Sequence, residues 1–127
     1  MTTAETGLAL VLPPTPASCR DARVAVRTFC QEQGFPGLAD DAELLTSELV
    51  TNAIGYASSH VSVTATVADA TVLIHVTDDG GAPPYIAATL STATCESGRG
   101  VYVVSEIAGD WGVIPSDNAT TAWFRLP

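Results

Sequence analysis

Along the chain the apolar residues change their spacing several times, and each change marks an element. Leu8 to Leu12 is an unbroken apolar run stopped by Pro13-Pro14, and reads as an opening strand at a sheet edge or an interface. Thr15-Pro16 offers a helix cap with proline in the first turn, and Ala17 to Gln33 carries apolar residues at helical spacing through Ala22, Val26 and Phe29. Gly34 is the expected stop, and Phe35-Pro36-Gly37 the connector. A second helix is predicted from about Leu38 to Ala57. At about 100° per residue, Leu45, Leu49, Val50, Ala53, Ile54, Tyr56 and Ala57 fall in one arc of about 180°, the pattern of a helix packed on a sheet. Glu48 and Asn52 lie outside that arc and, four residues apart, share one seam beside it.

The period then shortens to two. Val61 to Val67 alternates valine with threonine, serine and alanine, and Thr71 to Thr77 contains Val72-Leu73-Ile74, so two strands are predicted around an Ala68-Asp69-Ala70 turn. Asp78-Asp79-Gly80-Gly81-Ala82-Pro83-Pro84 ends the regular pattern. Residues 85–97 are small and polar with little periodicity. Gly98-Arg99-Gly100 opens a third predicted helix, about Val101 to Ala108, and Asp110 to Ile114 and Thr120 to Leu126 read as closing strands. Helices and strands are segregated more than alternated. That favours an α+β fold, a two-layer sandwich of one mixed sheet with helices packed on one face.

Length and composition fit one domain spanning residues 1–127, with 46% apolar and 15% charged residues. No apolar run approaches the roughly 20 residues of a membrane span, and the acid in the first seven residues is unlike a secretory signal, so a cytoplasmic protein is expected. The net charge of -9 comes from 14 acids against five basic residues, all arginine. Such a surface repels a polyanion, so nucleic acid is excluded as a direct partner. The absence of lysine also excludes Schiff-base chemistry and the Gly-Lys phosphate loop. Cys19, Cys30 and Cys95 form no C-x-x-C pair and suggest neither a disulfide framework nor a zinc site.

Three pieces carry candidate chemistry. Glu48 with Asn52 reads either as a polar helix stripe or as a carboxylate and an amide oxygen suited to a magnesium ion that keeps most of its waters. Asp78 followed by glycines reads either as a plain loop or as an acceptor for an exocyclic amine, with backbone free to approach a ring. Gly98-Arg99-Gly100 reads either as a turn or as a phosphate site of backbone N–H groups, helix dipole and one guanidinium. Arg20, Arg23 and Arg27 share a face of the first helix, as a solvated stripe or a dock for an acidic partner.

The order and spacing of these pieces say more than each alone. Leu45-Thr46-Ser47-Glu48-Leu49-Val50-Thr51-Asn52-Ala53, Val76-Thr77-Asp78-Asp79-Gly80-Gly81, Ser97-Gly98-Arg99-Gly100-Val101 and Thr120-Thr121-Ala122-Trp123-Phe124 together resemble the GHKL ATP-binding superfamily. Within it the chain is most similar to stand-alone bacterial anti-sigma-factor serine/threonine kinases and their actinobacterial relatives, over roughly residues 16–127.

The resemblance implies a Bergerat-type ATP-binding fold with ATP and Mg2+ as cofactors. It places Asn52 on the metal, Glu48 as the general base, Asp78 on the adenine amino group and Gly80 beside the ring. Gly98 and Gly100 fall at the phosphates, next to the Arg99 guanidinium of the residue-level reading, Thr121 supports the adenine site, and 85–97 forms a short ATP lid. Three positions depart from the usual pattern: Ala82 stands for a second glycine, Gly55-Tyr56 for a basic residue and histidine, and Thr120 for a lysine. The implied partners are a sigma factor and an antagonist protein phosphorylated on a hydroxyl. Relatives commonly dimerise, which makes a homodimer through residues 1–14 and the first helix a candidate assembly. Two alternatives stand beside the kinase: an ATP-sensing module that switches partners without phosphoryl transfer, and a domain that has lost nucleotide binding.

Overall fold

The computed structural model describes residues 7–80, 110–115 and 118–126. Along the chain come β1 (Leu8–Leu12), α1 (Pro16–Glu32), a 3-10 turn (Pro36–Leu38), α2 (Ala39–Tyr56), β2 (Val61–Ala68), β3 (Thr71–Asp78), β4 (Asp110–Pro115) and β5 (Thr120–Leu126). The expected lid at 85–97 and the helix at 101–108 lie outside the described residues.

Local chemistry explains where the helices stop. Thr15 is extended at the start of α1 with Pro16 behind it, where a missing N–H costs nothing. At the other end Gly34 adopts φ 89°, while Phe35 N–H bonds Cys30 O at 2.8 Å and Gly34 N–H bonds Gln31 O at 3.3 Å. These two bonds satisfy carbonyls that the last helical turn leaves open, and a left-handed residue is required for them. Asp40 and Asp41 sit in the first turn of α2, on the positive end of its dipole. Arg27 ties the helices together, donating from Nε to Glu43 Oε1 at 2.8 Å and pairing with Asp40.

The strands form one sheet in the order β1-β2-β3-β5-β4. Every described pairing is antiparallel, where a mixed sheet was expected. The tight β2–β3 and β4–β5 connections force antiparallel neighbours, and β5 enters the sheet beside β3 running against it. The rest of the α+β expectation holds. Val61, Val63 and Ala65 of β2, Val72, Ile74 and Val76 of β3, and Phe124 and Leu126 of β5 join Val26, Phe29, Leu45, Leu49 and Val50 of the helices in a single core. Truncating a side chain such as Phe124, fully buried there, costs about 3–5 kcal/mol. The opposite sheet face carries Thr64, His75, Thr77, Thr121 and Trp123. Among the described residues no helix is long and apolar enough to cross a membrane.

Candidate functional site

Valines and isoleucine fill the inward positions of β3 until its last residue, where the alternation places Asp78 instead. Its side chain follows Val72, Ile74 and Val76 onto the core face and is only 4% exposed. Burial pushes its pKa above the usual carboxylate range; the Gly80 N–H, donating to Oδ1 at 2.9 Å, pulls the other way, and the neighbouring Asp79 charge adds to the rise. A carboxylate is expensive to keep in such a place without donors. The strand end therefore holds an acceptor poised for a partner that brings an N–H.

Gly80 is glycine for a steric reason. A Cβ built there would lie 1.6 Å from the carbonyl oxygen of Tyr56 and 2.6 Å from its carbon. Tyr56 ends α2, so the last turn of that helix is pressed directly onto the backbone that leaves β3. Asn52 lies one turn back along α2, about 6 Å in axial rise from Tyr56. The helix that carries Glu48 and Asn52 is thus fixed against the strand end that carries Asp78.

Asp79 faces the other way and captures the loop after α2. Its Oδ1 accepts from Ser58 N–H at 2.8 Å, Ser59 N–H at 2.9 Å and His60 N–H at 3.3 Å; its Oδ2 accepts from Ser59 N–H at 3.1 Å and from the Ser59 hydroxyl. His60 Nδ1 lies 3.2 Å from Oδ2. The Ser59 hydroxyl, then the backbone N–H groups of Ser59, His60 and Ser58, hold this carboxyl far below the usual range. Two adjacent aspartates therefore have opposite titration behaviour, one buried with a single donor among the described residues and one saturated with donors.

The threonines at the start of β5 separate cleanly. Thr121 is the register partner of Thr77, their hydroxyl oxygens are 2.8 Å apart, and both lie on the sheet face away from the helices. Asp78 pairs instead with Thr120, which is 7% exposed and whose Oγ1 has no hydrogen-bond partner among the described residues. Cross-strand partners project to the same face, so Thr120 shares the side of Asp78 and Thr121 does not. The sequence carried a signal for this. Ala122, Phe124 and Leu126 are apolar and Arg125 is charged, so parity already sends position 120 inward.

On α2, Glu48 and Asn52 are both partly exposed. Their neighbours Ser47 and Thr51 turn toward α1, where Cys19 Sγ sits 3.3 Å from Ser47 Oγ and 3.4 Å from Thr51 Oγ1. Among the described residues no three His, Cys, Asp or Glu side chains gather into a metal cage. One amide oxygen beside one carboxylate nevertheless suits a hard cation that takes its remaining ligands from water and phosphate. Gly98, Arg99 and Gly100 lie outside the described residues.

A two-layer α+β sandwich, with an acid buried at the end of a central strand under a helix bearing Glu48 and Asn52, defines a class of nucleotide-binding fold. The chain belongs to the histidine kinase-like ATPase domain family, whose model matches residues 12–126, and ATP is the ligand that membership implies. Among solved structures it is similar to the RsbU and RsbW domains of Rv1364c from Mycobacterium tuberculosis, with a TM-score of 0.74 and 23% identity, over 94% of this chain and 32% of that one. The chain thus spans about a third of that solved chain, and the likeness is one of fold. No curated protein matches.

Proposed function

We propose that the chain binds Mg2+–ATP and acts as a regulatory serine/threonine kinase of the anti-sigma type, holding a sigma factor and phosphorylating an antagonist protein on a hydroxyl. The observation that carries the nucleotide part is the buried Asp78, with one donor among the described residues, at a strand end walled by Gly80 and Tyr56. Its carboxylate accepts the exocyclic amine of adenine, and Thr120 beside it supplies a hydroxyl that lacks a partner among the described residues. Gly80 brings backbone beside the ring, its own side-chain space being taken by the Tyr56 carbonyl. Asn52 holds the metal by its amide oxygen, and the metal, when bound, neutralises phosphate charge. Glu48, one turn earlier, accepts the proton of the attacking hydroxyl. Gly98, Gly100 and Arg99 cradle the phosphates. Support for the partner assignment comes from the fold shared with a protein that contains an RsbW domain.

Arg20, Arg23, Arg27 and Arg125 belong to α1 and β5, so of the five basic residues only Arg99 falls within the proposed site. Phosphate binding then depends on the metal. An ATP titration by calorimetry, with magnesium and with EDTA, on wild type and Asn52→Ala tests this: affinity should fall at least about tenfold without metal, and Asn52→Ala should abolish the difference. Equal affinity with and without magnesium refutes the assignment. ATP binding without phosphate transfer to any hydroxyl-bearing partner would leave the ATP-sensing module as the reading.

A further inference from the structure

Asp79 stands between two walls of the site without belonging to either. One peptide bond precedes it from Asp78 and one follows it to Gly80, while its carboxylate binds the loop that begins two residues after Tyr56. Ser58, Ser59 and His60 present three backbone N–H groups to that carboxylate, and the Ser59 hydroxyl adds a fourth donor. Helix α2 has already closed at this point, with Ala57 N–H on Ala53 O at 2.9 Å and Ala57 extended. No helical hydrogen bond therefore connects the loop to α2 beyond Ala57, and none of the β2–β3 register reaches past Val61 paired with Asp78. The Asp79 side chain spans the junction where Tyr56 O meets Gly80.

We propose that Asp79 is a positioning residue for the nucleotide site: by clamping Ser58–His60 to the end of β3 it sets the depth at which Gly80 lies under Tyr56, and so aims the Asp78 carboxylate. The clamp rests on the reading of Asp78 as the adenine acceptor. Its action is through geometry alone. Gly80 lies against Tyr56 O with no room for even a methyl group, so a shift of the clamped loop displaces Gly80 together with the N–H that it donates to Asp78 Oδ1. A carboxylate suits this position better than a neutral side chain, because both its oxygens are acceptors and four donors converge on them.

The test compares wild type with Asp79→Ala, Asp79→Asn and Ser59→Ala, each shown to be folded by circular dichroism. Hydrogen exchange at the Gly80 amide reads the clamp without any ligand, and the ratio of affinities for Mg2+–ATP and Mg2+–ITP reads its consequence. ITP carries a carbonyl where ATP carries the amine, so the ratio reports the aim of Asp78 and not general stability. Asp79→Ala should speed Gly80 exchange and shrink the ATP:ITP ratio, each by about tenfold, the effect of losing one or two charge-assisted bonds. Asp79→Asn should recover most of both, because its amide oxygen still accepts from Ser58 and Ser59. Ser59→Ala, which removes only the hydroxyl donor, should fall between wild type and Asp79→Ala, and carries the test if Asp79→Ala does not fold. A folded Asp79→Ala or Ser59→Ala protein with wild-type exchange and ratio overturns the proposal. If wild type itself does not prefer ATP over ITP, the adenine reading fails, and Gly80 exchange alone decides whether the clamp exists.

Discussion

Replacing Gly80 with alanine adds one methyl group at the tightest point of the site. The new Cβ would stand 1.6 Å from Tyr56 O, and real Cβ atoms keep at least 3.0 Å, so the two backbones must separate by well over an ångström. Neither side yields easily. Tyr56 is held by the last turn of α2, and Asp79 anchors the loop that follows. Overpacking of this kind costs about 1–3 kcal/mol. Separation also breaks the 2.9 Å bond from Gly80 N–H to Asp78 and leaves a buried carboxylate without it, a further 1–2 kcal/mol or so. The expected total is about 2–5 kcal/mol, read as a lower urea midpoint at unchanged m. Calorimetry on the folded variant should show ATP affinity reduced about tenfold or more. A Gly80→Ala protein with wild-type midpoint and wild-type affinity would show that the contact between α2 and the strand end is not rigid, and the steric reasoning would fall with it.

Three other outcomes follow from the same geometry. Gly55, helical and with nothing within 4 Å of a built Cβ, is the opposite case: Gly55→Ala should raise stability by about 0.5–1 kcal/mol in the same urea assay. Ala70 holds φ 63° in the β2–β3 turn next to Asp69 at 53°, so Ala70→Gly relieves a left-handed penalty of about 1–2 kcal/mol, part of which the greater freedom of unfolded glycine takes back; a net gain of about 0.5–1 kcal/mol should raise the melting temperature. Asp78 has a folded pKa raised by burial, so its protonated form suits the fold: stability is greatest below the unfolded value and declines as pH rises through the folded one. On the proposed reading of Asp78 as the adenine acceptor, ATP binding should weaken as pH falls through the raised pKa. Asp78→Asn should flatten both curves, keep its oxygen on Gly80 N–H and turn an NH2 toward the ligand amine, with ATP affinity down by about 1–3 kcal/mol in titration calorimetry. Asp79 acts with the reverse sign, its contribution present above the unfolded carboxylate value and lost only in strong acid.

Local patterns made most of the architecture legible. Pro16 and Gly34 bracket α1, the valine alternation marks β2, and the Asp69-Ala70 turn falls between two β-rich runs. The order of Glu48, Asn52, Asp78 and Gly80 singled out the acids and amide of the candidate site, and the fold sets the helix that carries the first two against the strand end that carries Asp78. What escaped depends on residues far apart in the chain. Gly80 meets Tyr56, and Asp79 meets Ser58 to His60, across intervals that no short period encodes. The antiparallel direction of β5 against β3 is likewise a property of the crossover and not of either strand. Two consecutive threonines are a hard case for motif matching, because a shift of one position preserves the residue type and reverses the sheet face. Parity with Phe124 and Leu126 puts Thr120 on the face of Asp78 and Thr121 on the opposite one.

The strand order has a consequence for a chain that lacks its last strand. β5 comes after β4 in the chain yet lies between β3 and β4 in space. Without β5, the strands β1, β2 and β3 can pair with one another and receive α1 and α2, but among the described residues β4 has no strand to pair with. The open edge of β3 and the underside that Phe124 and Leu126 cover are then both exposed to other chains. A chain truncated just before Thr120 should therefore aggregate more readily than one that carries β5.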